Sequence, residues 1–175
     1  MRLAGWRVEG TLPDLPKFVL IGAPHTSNFD FVLFLGVIFT LRANVKFMGK
    51  AELFRPPYGW FFYYCGGVPV DRKKSTGLVE QMVKACSETD KFILTIAPEG
   101  TRHQVSECKR GFYHIAKSAG IPIVFAAVDG KHREVRIGQV FHPTADVEAD
   151  MKAIQGYFAG VIGVNPRRKY ITLES

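Results

Sequence analysis

The sequence predicts an α/β fold in which a mostly parallel central sheet is flanked by helices. Short apolar runs, typical of buried strands, alternate with longer segments whose apolar residues recur at helical spacing. Parallel strands need such crossover segments, so the alternation favours a parallel sheet. No internal repeat, low-complexity tract or linker interrupts the pattern, and residues 1–175 are therefore expected to form a single domain.

The first half of the chain supplies three predicted strands and two predicted helices. The strands are Phe18–Gly22, Val45–Met48 and Val68–Val70. Ser27 or Asn28 is placed to cap a helix that runs from about Phe29 to Arg42. This helix is apolar all round, which predicts burial, and the protein core is the expected place. A short aromatic helix, Tyr58–Tyr64, follows two prolines.

The second half of the chain continues the alternation to the last predicted helix. Apolar residues at helical spacing predict amphipathic helices over 76–90 and 147–158, and a third helix runs over 111–120 to a glycine cap. The predicted strands are Phe92–Ile96, Ile121–Ala126 and a more exposed strand, Glu134–Val140.

Composition excludes several protein classes. Apolar residues make up 47% of the chain and charged residues 22%, which is typical of a globular protein and excludes disorder. The Gly, Pro and Cys counts exclude collagen-like and disulfide-scaffold proteins. Cys65, Cys86 and Cys108 are expected to be reduced thiols in a cytosolic compartment, and their spacing predicts no zinc site.

The charge of the chain indicates an anionic partner. Lys and Arg exceed Asp and Glu by 23 to 16, a net charge of +7. Such a surface attracts nucleic acid, anionic lipid or phosphorylated substrates, and clustered aromatic residues favour lipid over nucleic acid. The N-terminus has no signal peptide pattern, and the longest apolar stretch, Phe31–Leu41, falls well short of the about 20 residues that span a membrane. A soluble or peripheral protein is expected.

His25 and Asp30 form the first candidate catalytic pair. They lie at the junction between a predicted strand and a predicted helix, where a turn can bring the two side chains together. Asp30 would then hold one imidazole nitrogen and leave the other as a general base. The alternative is that Asp30 only caps the helix and His25 only lies in a loop.

Two further blocks follow predicted strands. In Pro98–Arg102, Gly100 allows close approach to a ligand, Arg102 can clamp a phosphate, and Glu99 can bind a hydroxyl or organise the loop. In Gly66–Arg72, two glycines, a strand and Arg72 are compatible with a phosphate loop. Each block taken alone is more typical of an ordinary turn with solvated charges.

Together these blocks resemble the lysophospholipid (glycerolipid) acyltransferase superfamily of the 1-acylglycerol-3-phosphate acyltransferase type. That family carries an H-x-x-x-x-D block, a glycine-then-Asp-Arg block, a P-E-G-T-R block and an apolar block containing proline. They are read here as HTSNFD (25–30), GGVPVDR (66–72), PEGTR (98–102) and IPIV (121–124). Pro24 before His25, the Val68–Val70 segment and the absence of N-terminal membrane helices depart from many relatives, which leaves the acceptor undetermined.

The resemblance implies direct acyl transfer by a single acyltransferase domain, without metal, cofactor or covalent intermediate. His25 would be the base, Asp30 would orient it, and Glu99 would assist. The acceptor would be bound by Lys50, Arg72, Gly100, Thr101 and Arg102. The donor would be acyl-CoA or acyl-carrier protein, and lysophosphatidate is the default acceptor, with lyso-ornithine lipid as an alternative.

Other readings stay open at this point. A metal-dependent hydrolase could use His25, Asp30 and Glu99, but no second cluster of metal ligands is present. A non-catalytic basic module would bind anionic lipid or nucleic acid without needing the His–Asp pair. A degenerate acyltransferase would have lost residues that are intact here.

One more segment suggests contact with a membrane. Leu53–Tyr64, called here the aromatic segment, carries Trp60, several Tyr and Phe residues, and Arg55. Trp and Tyr favour the membrane interface and Arg favours anionic head groups, although a packed core helix would look similar. The expected location is cytoplasmic, at the inner face of the membrane. The expected partners are a membrane lipid, an anionic membrane surface and acyl-carrier protein. No nucleic acid partner is expected.

Overall fold

A computed structural model describes residues 2–3, 5–70, 77–99 and 109–166. In this part of the chain, eight strands form one sheet in the order β1-β2-β8-β7-β3-β6-β4-β5. The strands are β1 (Arg2–Leu3), β2 (Trp6–Glu9), β3 (Lys17–Ala23), β4 (Lys46–Lys50), β5 (Gly67–Val70), β6 (Phe92–Ile96), β7 (Ile123–Asp129) and β8 (Glu134–Phe141).

The sheet is mostly parallel, as the sequence predicts. Strand β3 lies at its centre and pairs in parallel with β6 on one side and β7 on the other. Strands β6, β4 and β5 continue in parallel to one edge. Only the pairs β1–β2 and β7–β8 are antiparallel among the described strands. Consequently the carboxyl ends of β3, β4, β5 and β6 all lie on the same side of the molecule. Ligands bind at the carboxyl ends of strands in α/β folds.

Helices cover both faces of the sheet. They are α1 (Phe29–Leu41), α2 (Gly59–Tyr64), α3 (Leu78–Ser87), α4 (Gly111–Ala119) and α5 (Val147–Phe158), with a 3-10 helix at Ala51–Phe54. Val19 and Ile21 of β3 pack in one core with residues of α3, α4 and α5. Phe18 and Leu20, which point to the opposite face, pack with Leu33 and Val37 of α1. The aromatic segment lies on the α1 side, where Phe62 contacts Phe31 at a ring-centroid distance of 6.0 Å.

The element predictions agree closely with this structure. Strand β6 has the predicted bounds, α1 ends one residue before its predicted end, and Gly120 caps α4 in the left-handed conformation. Two short strands at the N-terminus, β1 and β2, were not predicted. They lie at the sheet edge, where a strand of two to four residues has too short a pattern to be recognised.

The expected burial of the first helix in the core is wrong for part of its surface. Leu33, Val37 and Ile38 are buried, but Phe29, Val32 and Phe39 on the other side are exposed. Trp6 of β2 contacts the Phe29 ring at a centroid distance of 6.5 Å, while Val32 and Phe39 are 58% and 59% exposed, so part of this apolar helix faces outward. At the start of the helix, Asn28 makes no side-chain cap, and Ser27 Oγ instead accepts a hydrogen bond from the Phe29 N–H at 3.0 Å.

Candidate active site

His25 and Asp30 meet at the carboxyl end of the central strand. His25 follows β3 in a short turn, and Asp30 is the second residue of α1. The turn places His25 Nδ1 3.2 Å from Asp30 Oδ2. The Asp30 side chain is 5% exposed and the His25 side chain 24% exposed, so the pair is shielded while the imidazole stays accessible. The predicted juxtaposition is therefore present, with the second ring nitrogen, Nε2, left to act on a substrate.

Asp30 also fixes the turn that carries His25. Its Oδ2 accepts hydrogen bonds from the backbone N–H groups of Thr26 at 2.6 Å and Ser27 at 2.7 Å. Its Oδ1 accepts a hydrogen bond from Ser27 Oγ at 3.1 Å. These bonds hold the carboxylate in one orientation, so that the geometry of the His–Asp pair is set before any substrate arrives. The same carboxylate therefore contacts the His25 ring and also binds the backbone of the turn before α1.

Glu99 holds the same turn from the neighbouring strand. It follows β6, is 6% exposed, and its Oε2 accepts a hydrogen bond from the His25 backbone N–H at 2.8 Å. Burial, as the largest cause, and the nearby charge of Asp30 raise the pKa of Glu99 to about 7, against the opposing effect of the His25 N–H. Of the two roles expected for Glu99, this contact supports organisation of the loop.

An apolar cavity of about 190 Å³ opens beside the pair. It lies between α1 and the sheet, and His25 and Asp30 form part of its lining. The remaining lining is almost entirely apolar and includes Gly22, Phe34 and Val37. Gly22 matters because a Cβ built there meets nothing within 4 Å, so this position leaves the cavity open. An apolar cavity with a His–Asp pair in its lining suits a substrate with a hydrocarbon chain.

Residues 161–166, called here the C-terminal strap, pack against the turn that carries His25. The Asn165 N–H donates a hydrogen bond to Thr26 Oγ1 at 3.0 Å. A Cβ at Gly163 would lie 2.5 Å from Thr26 Cγ2 and 3.1 Å from Pro24 Cγ, so only glycine permits this approach. The strap is not predictable from local sequence, because nothing in residues 161–166 indicates contact with a turn that lies 139 positions earlier.

The predicted acceptor-binding residues are only partly described. Lys50 is exposed at the carboxyl end of β4, the same edge of the sheet as His25 and Glu99. Arg72, Gly100, Thr101 and Arg102 lie outside the described residues. Arg72 follows β5 by two residues in the sequence, and the other three directly follow Glu99.

The interpretation of Gly66 and Gly67 as part of a phosphate loop is wrong. Both lie at the amino end of β5, the opposite end from His25. Gly66 has φ +86°, and a Cβ there would collide with the Val45 carbonyl oxygen. At Gly67 a Cβ would lie 2.7 Å from the Phe54 ring. The two glycines serve close packing of the turn, which is the alternative that the pattern also allowed.

A second His–Asp pair lies at the end of β7. His132 Nδ1 is 2.8 Å from Asp129 Oδ2, closer than the first pair, but the His132 side chain is 59% exposed. Neither residue lines the cavity. Proximity alone therefore does not distinguish the two pairs, whereas the cavity does.

Within the described residues, no group of His, Cys, Asp and Glu side chains is arranged to hold a metal ion. Cys65 and Cys86 are free thiols, and burial raises the pKa of both. In the same part of the chain, no helix has the length and apolar character needed to span a bilayer.

The chain is similar to known proteins in both sequence and fold. The sequence model of the Acyltransferase family matches residues 7–129, which is more than half of the chain and contains every predicted site residue. A 1-acyl-sn-glycerol-3-phosphate acyltransferase of Haemophilus influenzae is 26% identical over 148 residues. A Saccharomyces cerevisiae protein of the same name is 33% identical over 123 residues.

The chain is shorter than these relatives. The first match covers 78% of this chain and 60% of the relative, and the second covers 66% of this chain and 39% of the relative. The solved structure of the 1-acyl-sn-glycerophosphate (LPA) acyltransferase from Thermotoga maritima superposes with a TM-score of 0.65 at 20% identity. That match covers 95% of this chain and 73% of the other, and it shows a shared fold.

Proposed function

Because this chain belongs to the Acyltransferase family, we propose that it is an O-acyltransferase that moves an acyl group from a thioester to a hydroxyl of a glycerolipid-type acceptor. The observation that carries the proposal is the His25–Asp30 pair, 3.2 Å apart, in the lining of an apolar cavity. The base is placed to activate a hydroxyl, and the cavity is placed to hold a hydrocarbon chain.

The proposed reaction is a direct transfer. His25 Nε2 takes the proton of the acceptor hydroxyl, and the hydroxyl oxygen attacks the carbonyl carbon of the thioester. The C–S bond then breaks, and the leaving thiolate takes the proton back from the imidazolium. Asp30 stabilises the imidazolium while the proton is on His25. No electron is exchanged, so the reaction needs no cofactor, and no covalent acyl-enzyme forms.

The acceptor is proposed to carry an anionic head group. Lys50 lies exposed at the site edge of the sheet, and Arg72 and Arg102 follow strands that end at that edge. Basic residues that follow strands ending on one side suit a phosphate-bearing acceptor, because Arg can clamp a phosphate bidentately. Gly100 and Thr101 are proposed to shape the acceptor pocket. The name shared by the curated relatives makes lysophosphatidate the first acceptor to test, and lyso-ornithine lipid is the second.

The donor is proposed to be acyl-CoA or acyl-carrier protein. The cavity lined by Gly22, Phe34 and Val37 would take the acyl chain, because transfer of a chain into apolar surroundings is favourable. Since the acceptor is a lipid, we further propose that the protein acts at the cytoplasmic face of an anionic membrane.

The proposal is tested by measuring thiol release from acyl-CoA with lysophosphatidate, lyso-ornithine lipid or no acceptor in liposomes. Wild type should release thiol only with an acceptor, and His25→Ala should lower the rate by at least about a hundredfold. The matched control is His142→Ala, because His142 is exposed and distant in sequence from the site. His142→Ala should keep the wild-type rate.

Two outcomes would overturn the proposal. One is wild-type activity in His25→Ala. The other is the absence of transfer with every acceptor when the donor is acyl-CoA and again when it is acyl-carrier protein. Far-ultraviolet circular dichroism of His25→Ala should match wild type, since the residue lies in a turn rather than in the core.

A further inference from the structure

Exposed apolar side chains are concentrated on one side of the molecule. Among the described residues, twelve large hydrophobic side chains are exposed, and nine belong to α1 and the aromatic segment. These nine are Phe29, Val32, Phe39, Leu53, Tyr58, Trp60, Phe61, Tyr63 and Tyr64. The three helices on the opposite face, α3, α4 and α5, contribute none. A soluble protein rarely exposes so uneven an apolar surface unless something binds it.

The aromatic segment is anchored from below and leaves its largest rings outside. Phe54 is buried, and Phe62 contacts both Phe54 and Phe31 at ring-centroid distances of 5.9 and 6.0 Å. Trp60 and Tyr64 are 70% and 78% exposed. The segment is therefore held in place by its inner rings, so the outer rings are displayed by a fixed structure.

The outer residues are those that favour a lipid–water interface. Four of the nine are Trp or Tyr, whose apolar rings carry a polar group that stays at head-group level. Basic residues accompany them. Between residues 42 and 64 the sequence has four exposed basic side chains and one acidic side chain: Arg42, Lys46, Lys50, Arg55 and Glu52. This charge is complementary to anionic lipid.

We propose that α1 and the aromatic segment together form a membrane-docking face that binds the surface of an anionic bilayer. A symmetric dimer through this face is disfavoured, because it would bring the basic side chains of one copy against those of the other. The choice of a lipid surface over a protein partner rests in part on the proposed function, since a lipid acceptor resides in a bilayer.

The docking face also borders the cavity. Phe31 packs against Phe62 of the aromatic segment and lines the cavity that His25 and Asp30 border. Helix α1 thus separates the docking face on its outer side from the cavity on its inner side. A lipid held at this face would need to move only around α1 to reach the base.

The test is flotation of the whole chain with vesicles of phosphatidylcholine, with and without phosphatidylglycerol. Wild type should float with the anionic vesicles. The double variant Trp60→Ser/Tyr64→Ser should bind at least about tenfold more weakly, because two rings no longer enter the interface. The matched control is Leu15→Ser/Val140→Ser, which removes two exposed apolar side chains elsewhere, each 36% exposed, and should bind as wild type does.

Charge is tested separately. Arg55→Gln should weaken binding to anionic vesicles by about fivefold, the effect of one basic residue at an anionic surface. Lys152→Gln, which removes an exposed basic residue from α5 on the opposite face, should have no effect. Fluorescence gives a second readout, because Trp6 is buried and a vesicle-induced blue shift then reports Trp60.

The proposal is overturned if wild type does not bind anionic vesicles, or if Trp60→Ser/Tyr64→Ser binds as tightly as the control. It is also overturned if light scattering shows a lipid-free dimer that the same double variant dissociates. Failure of the proposed function is distinguishable, because His25→Ala should bind vesicles like wild type whether or not the chain transfers acyl groups.

Discussion

The position of His25 is set by hydrogen bonds to the backbone of its turn as well as by its side-chain contact with Asp30. Asp30 contacts His25 and also accepts two N–H groups of the turn, and Glu99 accepts the His25 N–H from the next strand. Two carboxylates thus orient one imidazole, one through its ring and one through its backbone. Asp129 likewise accepts the His132 N–H at 3.2 Å, but that pair does not line the cavity and its imidazole is exposed.

Glu99 should make stability depend on pH. Its pKa is raised from 4.5 to about 7 in the folded chain, so the folded state keeps its proton over a range where the unfolded state has lost it. Wild type should therefore lose up to about 3 kcal/mol of unfolding free energy, relative to Glu99→Gln, as the pH rises from below 4.5 to above 7.

Urea unfolding of both proteins at pH 5 and pH 8 checks this prediction. Gln keeps an oxygen that can accept the His25 N–H, so the comparison isolates the titration. Parallel pH profiles for the two proteins would show that the pKa of Glu99 is not raised in the folded state.

Among the elements, the C-terminal strap packs directly against the turn that carries His25. It reaches the catalytic turn from a distant part of the sequence and contacts it through Gly163 and Asn165. Helix α1 and strand β6 place the other two sides of the turn. The turn is therefore enclosed by three elements. A change in any of them should alter the position of His25.

Gly163→Ala should impair both folding and activity. The new methyl group would be 2.5 Å from Thr26 Cγ2, and such overpacking costs about 1–3 kcal/mol. Since the displaced residue adjoins His25, kcat should fall while KM for the acyl donor stays nearly unchanged.

Gly156→Ala is the matched control, because a Cβ there meets nothing within 4 Å and the residue lies inside α5. That change should be neutral or stabilising by up to about 1 kcal/mol. Chemical unfolding and steady-state kinetics of both variants provide the measurement. A Gly163→Ala enzyme with wild-type kcat would mean that the strap does not position the turn.

At the scale of the whole molecule, the two faces of the sheet differ. One face is closed by α3, α4 and α5 over a continuous core. The other carries α1 and the aromatic segment, with the cavity beneath α1 and exposed apolar side chains above it. The order of the strands puts β3, and hence His25, at the centre of the sheet, where both faces and the cavity meet.

The cavity should set which acyl chains are used. Gly22 on β3 lines it without a side chain, so Gly22→Leu should fill part of its volume. We expect kcat/KM for long-chain acyl-CoA to fall at least about tenfold, because the lost burial of only two CH₂ groups already amounts to that factor. Short-chain acyl-CoA should be used as before.

The ratio of long-chain to short-chain kcat/KM in Gly22→Leu and wild type measures this effect, and Gly22→Ala should give an intermediate ratio. An unchanged ratio in both variants would exclude the cavity as the site of the acyl chain.

The sequence by itself determined the α/β class, most element bounds, and the His25–Asp30 pair. Each of these is encoded locally, in hydrophobic periodicity or in residues a few positions apart across one strand–helix junction. The order of the blocks along the chain carried the resemblance to a family, and the match of the Acyltransferase family model to residues 7–129 confirms that family.

Only the tertiary structure decided which surfaces are left uncovered and which distant segments meet. It assigned Gly66 and Gly67 to packing, brought Asn165 to Thr26, and opened a cavity at Gly22. It also turned one side of an apolar helix outward, where periodicity alone predicts burial. These outcomes depend on contacts between residues far apart in sequence, and no local pattern of residue types specifies such contacts.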